Sequence, residues 1–191
     1  MKSPPQRRSR RLDPQRSQKI ADVTWHLLAR HGYDGLTFEA IAREVGCNRA
    51  TIYRRHASKA ALVRAVMLET VWSIAPTFDE TVSPRQALFE LVMIGFQYMG
   101  GERGAAMLNV AAVAMTSPEL AEVLDSHLSG VAPFYVEQFR RIAPDAPQET
   151  IDFALHTLIG SFLYHLTFRR GLLSRSQVES LVDQAMALVA A

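Results

Sequence analysis

The chain has 191 residues, 48% of them apolar, with a single cysteine and a near balance of 21 Lys+Arg against 19 Asp+Glu. A chain this long buries roughly 70% of its unfolded surface, so it needs no disulfide or metal staple; the lone Cys47 excludes an intrachain disulfide and fits a reducing compartment. The charge is unevenly shared: residues 1–60 carry 13 Lys+Arg against 5 Asp+Glu, net +8, and residues 61–191 carry 8 against 14, net −6, so the first part is expected to meet a polyanion.

The first fifteen residues, MKSPPQRRSRRLDPQ, carry three prolines and too little apolar surface to order themselves. They read either as a solvated tail or as a basic arm in which Arg7, Arg8, Arg10 and Arg11 add phosphate or minor-groove contacts. Residues 1–19 hold no apolar signal-peptide core, so the cytoplasm is the expected location. A first helix is predicted from about Arg16 to Arg30, with Ile20, Val23, Leu27 and Leu28 on one face and Gly32 as its left-handed cap. Thr37 is placed to cap a second helix whose apolar face is Phe38, Ile41, Ala42 and Val45. Gly46 supplies the bend after it. A third helix starts near Asn48 with Ile52 turned inward, and Ser58 caps a fourth that runs through Leu62, Val63 and Val66 toward Trp72. The short third helix is loaded with Arg, Asn, Thr and Tyr, side chains that reach base edges and phosphates.

Gly35-Leu36-Thr37, Ile41-Ala42, Val45-Gly46, Thr51-Ile52-Tyr53 and Ser58-Lys59-Ala60-Ala61-Leu62 together resemble the DNA-binding domain of the tetracycline-repressor (TetR) family, over about residues 16–66. The resemblance implies an all-α fold of about nine helices. It divides into a disordered basic arm at 1–15, a helix-turn-helix domain at 16–60, and a ligand-binding and dimerisation domain at 61–191. It also implies that the third helix enters the major groove. Asn48 and Arg49 then become base-edge candidates, Thr51 and Tyr53 match phosphate-binding positions, and Arg54 and Arg55 occupy variable contact positions. Thr37 and Lys59 match residues that meet phosphates. The chemistry agrees independently: Arg grips guanine with two parallel bonds, and hydroxyls and helix N-termini suit single phosphate oxygens. Tyr53 reads either as a core ring or as a phosphate donor, and Arg54 and Arg55 as either solvated or in contact. Two residues depart from the family pattern: His56 stands where Phe or Trp usually closes the small core, and Cys47 where a Val-like residue is usual.

The remainder reads as five helical stretches: Pro84 to Met99, about Glu102 to Thr116, Pro118 to Ile142 with a kink or break expected at Gly130 and Pro133, Gln148 to Arg170, and Arg175 to Ala190. The Gln148 to Arg170 stretch is apolar nearly all round, so it must be buried all round, most simply by a partner subunit. Its stretch from Ile151 to Phe168 is the most membrane-like, but Asp152, His156, Ser161 and His165 interrupt it, which fits a buried helix and no membrane partner.

The family pairs its last two helices with those of a second copy. The resemblance therefore places Phe153, Gly160, Tyr164, Val178, Leu181, Val182 and Ala185 at a homodimer interface. It also implies a cavity among the later helices, with Trp72, Met93, Phe96, Met107, Phe134 and His156 as candidate lining; each of these also reads as ordinary core. His127, His156 and His165 lack metal-ligand spacing, and no catalytic or nucleotide-binding motif occurs, so no cofactor, metal or catalysis is expected. The reading is a homodimeric regulator that binds a palindromic double-stranded DNA operator and is released by a small, mostly apolar effector. Its rivals are a ligand-independent or architectural DNA-binding protein and, less favoured, an enzyme.

Overall fold

The computed structural model describes residues 14–169 and 171–191, and the side chains of these except at 72–74. The basic arm through residue 13, with Arg7, Arg8, Arg10 and Arg11, lies outside the described residues, as does the side chain of Trp72. Among the described residues the fold is all-α, with no strand. The helices are α1 (Pro14–Gly35), α2 (Phe38–Val45), α3 (Arg49–Tyr53), α4 (Lys59–Ile74), α5 (Pro84–Met99), α6 (Glu102–Ala114), α7 (Pro118–Ile142), α8 (Gln148–Tyr164) and α9 (Arg175–Ala190).

Local signals in the sequence set most of these boundaries. Ser58, Ser83, Ser117 and Ser174 each cap a helix, accepting a hydrogen bond from the backbone N–H three residues on. At α9 the side chain of Gln177 returns the bond to the Ser174 backbone, which completes a capping box. One glycine break falls where expected, and two elements depart from the expected pattern. Gly32 breaks the first helix as expected, with φ of 65°, and a short further helical stretch follows it to Gly35. α7 passes through Gly130 and Pro133 as one helix. α8 ends its regular turns at Tyr164 and passes into a wider π turn over His165–Arg169, where His165 Nδ1 lies 3.1 Å from the Ser161 carbonyl.

The core falls into two apolar clusters. One joins α1 to α4 with Met99, with Met107 and Val110 of α6, and with Leu120 and Val123 of α7. It therefore crosses the boundary expected after residue 60. The other joins α5, the second half of α7, α8 and α9 around Phe96, Phe139, Ile151 and Leu158. α1 packs along α6, α4 along α7, and α8 along α9. Asn109 of α6 donates to the carbonyls of Leu28 (2.9 Å) and Ala29 (3.2 Å), just ahead of the kink at Gly32.

The last point is testable. Asn109→Ala leaves those carbonyls without their side-chain donor, so the variant is expected to lose about 1–3 kcal/mol in urea denaturation. A loss within error of zero would mean that the kink needs no support from α6.

Candidate DNA-reading face and cavity

α2 and α3 form a helix-turn-helix whose turn depends on Gly46. Its φ of 75° and ψ of 41° are left-handed, and its N–H closes α2 on the Ala42 carbonyl at 3.0 Å. Lys19 Nζ also donates to the Val45 carbonyl at the end of α2 (3.0 Å). Ile52 is fully buried, so α3 turns its remaining side chains outward.

The eight sequence-predicted contact residues cluster at this face, each in a defined state. Thr37 is exposed, and its hydroxyl caps α2 by accepting from Ala40 N (3.1 Å). Asn48 caps α3: its side-chain oxygen accepts from Ala50 N at 2.9 Å, which leaves its amide N–H groups for other partners. Arg49 is exposed and paired with Glu39 of α2 at 2.9 Å. Thr51 is half-buried and Arg54 exposed. Tyr53 is 53% exposed, and its ring packs edge-on against Phe38 with centroids 4.5 Å apart. It is thus a packed ring with an outward end. Arg55 donates to Ser17 Oγ of α1 (3.2 Å). Lys59 Nζ donates to the Tyr33 carbonyl (2.7 Å) and lies 4.0 Å from the centre of that ring.

Two residues add contacts that pattern reading does not supply. Glu39 orients Arg49, and it lies one turn ahead of Arg43 on α2 with nothing in its own spacing to mark the role. Glu119, in the first turn of α7, accepts from Ser58 Oγ (3.2 Å) and so joins the two halves of the chain. His26 and Glu102, 2.6 Å apart, make a second polar link, between α1 and α6.

Behind the head lies a cavity of about 360 Å³ walled by α4 to α8 and the π turn. Met107 and Phe134 stand on its wall as expected. Met93 and Phe96 do not. Met93 packs into the C-terminal cluster, and Phe96 is buried behind Phe162 at a centroid distance of 4.6 Å. His156 is also misplaced by the sequence reading: it is exposed on α8, because the inward positions of that turn belong to Leu155 and Leu158. The histidine on the wall is His127 of α7, accompanied by Tyr98 and Tyr135. The missed signal is spacing, since Leu124, His127, Val131 and Phe134 follow one another at helical intervals on one face. Burial pushes the Tyr98 hydroxyl up to about 12. The Tyr98 ring meets Trp25 of α1 edge-on at 6.1 Å.

The candidate interface residues separate into two groups. Phe153, Gly160 and Tyr164 on α8 are exposed, the first and last at 60% and 53%. Val178, Leu181, Val182 and Ala185 on α9 are buried within the protomer, against α5, α7 and α8, and so are not available to a partner. An amphipathic helix has one apolar stripe, and here the chain's own core takes it.

His56 tests the departure from the family pattern. Its imidazole is half-buried, and desolvation, aided by the Arg55 charge, holds its pKa below the ordinary histidine value. His127 shifts in the same direction by burial. The unfolded chain then binds these protons more readily than the folded one, so stability is full above about pH 6.5 and falls as pH drops through the unfolded value toward the folded one. His56→Phe is expected to raise the melting temperature at pH 5.5 more than at pH 8. An equal change at both pH values would show that His56 does not titrate on unfolding.

Known proteins bear on this arrangement in two ways. Residues 20–66 match the family model described as "Bacterial regulatory proteins, tetR family", and residues 93–191 match "Tetracyclin repressor-like, C-terminal domain". An uncharacterized HTH-type transcriptional regulator of Mycobacterium tuberculosis is 43% identical over 60 residues, which cover 31% of this chain and 30% of that protein. Solved structures share the fold over nearly the whole chain. A transcriptional regulator of Pseudomonas aeruginosa superposes with TM-score 0.72 at 19% identity, covering 93% of this chain and 91% of that one. The regulator FadR of Bacillus subtilis, solved with stearoyl-CoA, gives 0.70 at 14% identity, covering 91% and 97%. A regulator of Saccharomonospora viridis, solved with choline, gives 0.65 at 17% identity, covering 91% and 96%. With both halves matched, this chain belongs to the TetR family of bacterial regulatory proteins, a family of DNA-binding transcriptional regulators and not of enzymes.

Proposed function

We propose that this regulator is a cytoplasmic homodimeric repressor that grips a palindromic operator through α3 and is released by a small, mostly apolar effector held among α4 to α8. The observation that carries the reading is the cavity: its described wall is overwhelmingly aliphatic and aromatic, and its volume falls in the range of ordinary ligand sites. A ligand-independent DNA-binding protein would be expected to fill that space with side chains. The neighbours solved with stearoyl-CoA and with choline support the fold's capacity to hold small molecules, although neither ligand carries over at their level of identity.

Two connections run from the cavity to the reading head. α4 begins at Lys59 beside α3 and contributes Val71 to the wall, about 18 Å further along at 1.5 Å per residue. Tyr98, on the wall, meets Trp25 of α1 edge-on. An effector weakens DNA binding only by favouring a state whose two heads are wrongly spaced, and both contacts offer a route to that state. For the dimer we propose the exposed α8 face of Phe153, Gly160 and Tyr164. A Cβ at Gly160 would meet nothing within 4 Å, which leaves room for the backbone of a second copy.

In a two-fold dimer the half-sites should form an inverted repeat about 34–36 Å apart. A footprint on DNA flanking the gene is expected to protect such a repeat, and sedimentation is expected to give a dimer at micromolar concentration. A monomer, or protection with no inverted repeat, sinks this reading.

Contact types also separate. Arg49→Ala should cost about 1–3 kcal/mol on the preferred site and relax its sequence preference. Lys59→Ala should weaken all sequences alike and lower the salt slope by about one. Should the slope stay unchanged, Lys59 is only a strut on the Tyr33 carbonyl.

A further inference from the structure

No Asp, Glu, Lys or Arg stands on the cavity wall among the described residues; its polar side chains are Tyr98, His127, Tyr135 and Thr167. Two of them, Tyr98 and His127, each carry a buried polar atom without a hydrogen-bond partner: the Tyr98 hydroxyl and His127 Nδ1. The imidazole of His127 lies near the backbone carbonyl of Met67 in α4, which favours a ring N–H on that side. Its Nδ1 is the ring nitrogen left without a partner. Burial keeps the imidazole neutral near pH 7, only partly opposed by the Met67 carbonyl. The proton therefore belongs on the nitrogen that faces that carbonyl, and Nδ1 presents a lone pair. A buried acceptor without a donor is uncommon in a native fold and asks for a partner.

We propose that the effector is an uncharged, largely apolar molecule bearing one hydroxyl, an alcohol or a phenol, whose O–H donates to His127 Nδ1. The inference rests on the effector-release reading above and narrows it to a ligand class. Other chemistries fit less well. A carboxylate or phosphate would enter a wall with no cation, and an ammonium a wall with no carboxylate, and a buried unpaired charge is strongly disfavoured. A plain hydrocarbon would leave Nδ1 unpartnered. A hydroxyl both donates and accepts, so it also suits the unpartnered Tyr98 hydroxyl, which can do either. Because the ring that would hold the ligand lies near Met67 of α4, and Val71 of α4 shares the wall, an occupant there meets the helix that starts at the reading head.

The test is calorimetric titration of the whole protein with four matched probes: 4-hexylphenol, 4-hexylanisole, hexylbenzene and 4-hexylbenzoate. The phenol is expected to bind about tenfold more tightly than the anisole or the hydrocarbon, as one net hydrogen bond allows, and the benzoate weakest. In His127→Leu the phenol should lose this advantage and bind like the anisole. If that variant does not fold, nitrogen NMR of the histidine-labelled parent replaces it: the His127 Nδ1 resonance should move to its hydrogen-bonded position with the phenol and not with hexylbenzene. Anisole or hexylbenzene binding as tightly as the phenol, or benzoate binding best, overturns the hydroxyl assignment and leaves an apolar effector standing. Binding of none of the four overturns the hydroxyl assignment together with the effector reading. Phenol binding through His127 without release of operator DNA upholds the ligand class and overturns the release reading alone.

Discussion

The structure depends on the contact between α1 and α6. A three-helix head of this size has little apolar surface to bury, and α1 carries more of it than α2 and α3 can cover. Trp25, Leu27 and Leu28 are buried together with Met107 and Val110 of α6. The apolar core of the head is therefore shared with the C-terminal half. Asn109 adds polar specificity to the same seam by holding the α1 carbonyls ahead of the Gly32 kink. Since packed cores are close to crystalline in density, a displacement of α6 or α4 is passed to the head and not absorbed.

That shared core gives the cavity in the C-terminal half a packed connection to the head. Its wall includes Tyr98, which touches α1 through Trp25, and Val71, which belongs to α4. The polar links at the domain boundary, His26 with Glu102 and Ser58 with Glu119, sit at exposed positions, where ion pairs and hydrogen bonds add little stability. They orient the two halves; apolar packing holds them together. On the reading face several side chains already have partners in the free chain: Arg49 with Glu39, Lys59 with the Tyr33 carbonyl, Asn48 with its own helix. Pre-positioned arginine and lysine side chains lose less freedom on meeting DNA, at the expense of exchanging one partner for another.

The exposed side of α8 completes the argument from burial. A protomer that leaves Phe153, Tyr164 and Phe168 in water, all on one helix and its π extension, has unfinished apolar surface. Ser176, Gln177, Ser180, Leu181 and Gln184 of α9 line a mostly polar groove with Ser161, His165 and Leu173.

The sequence by itself determined the elements and their ends, because these rest on local chemistry: the serine caps, the prolines at first turns, Gly46 at its left-handed bend, and the spacing of Phe38, Ile41 and Ile52. It also determined the family, because the reading head is a dense run of such local constraints. What only the tertiary structure decided was direction. A periodic stripe tells that a face is buried but not against what, so α9 read as an interface although the protomer's own core covers Val178 and Val182. The nearly all-apolar α8 gave no face to choose, which put His156 in the cavity when it lies outside. The partner of Arg49 and the orphaned nitrogen of His127 follow from how distant helices meet, and no pattern along the chain encodes those distances.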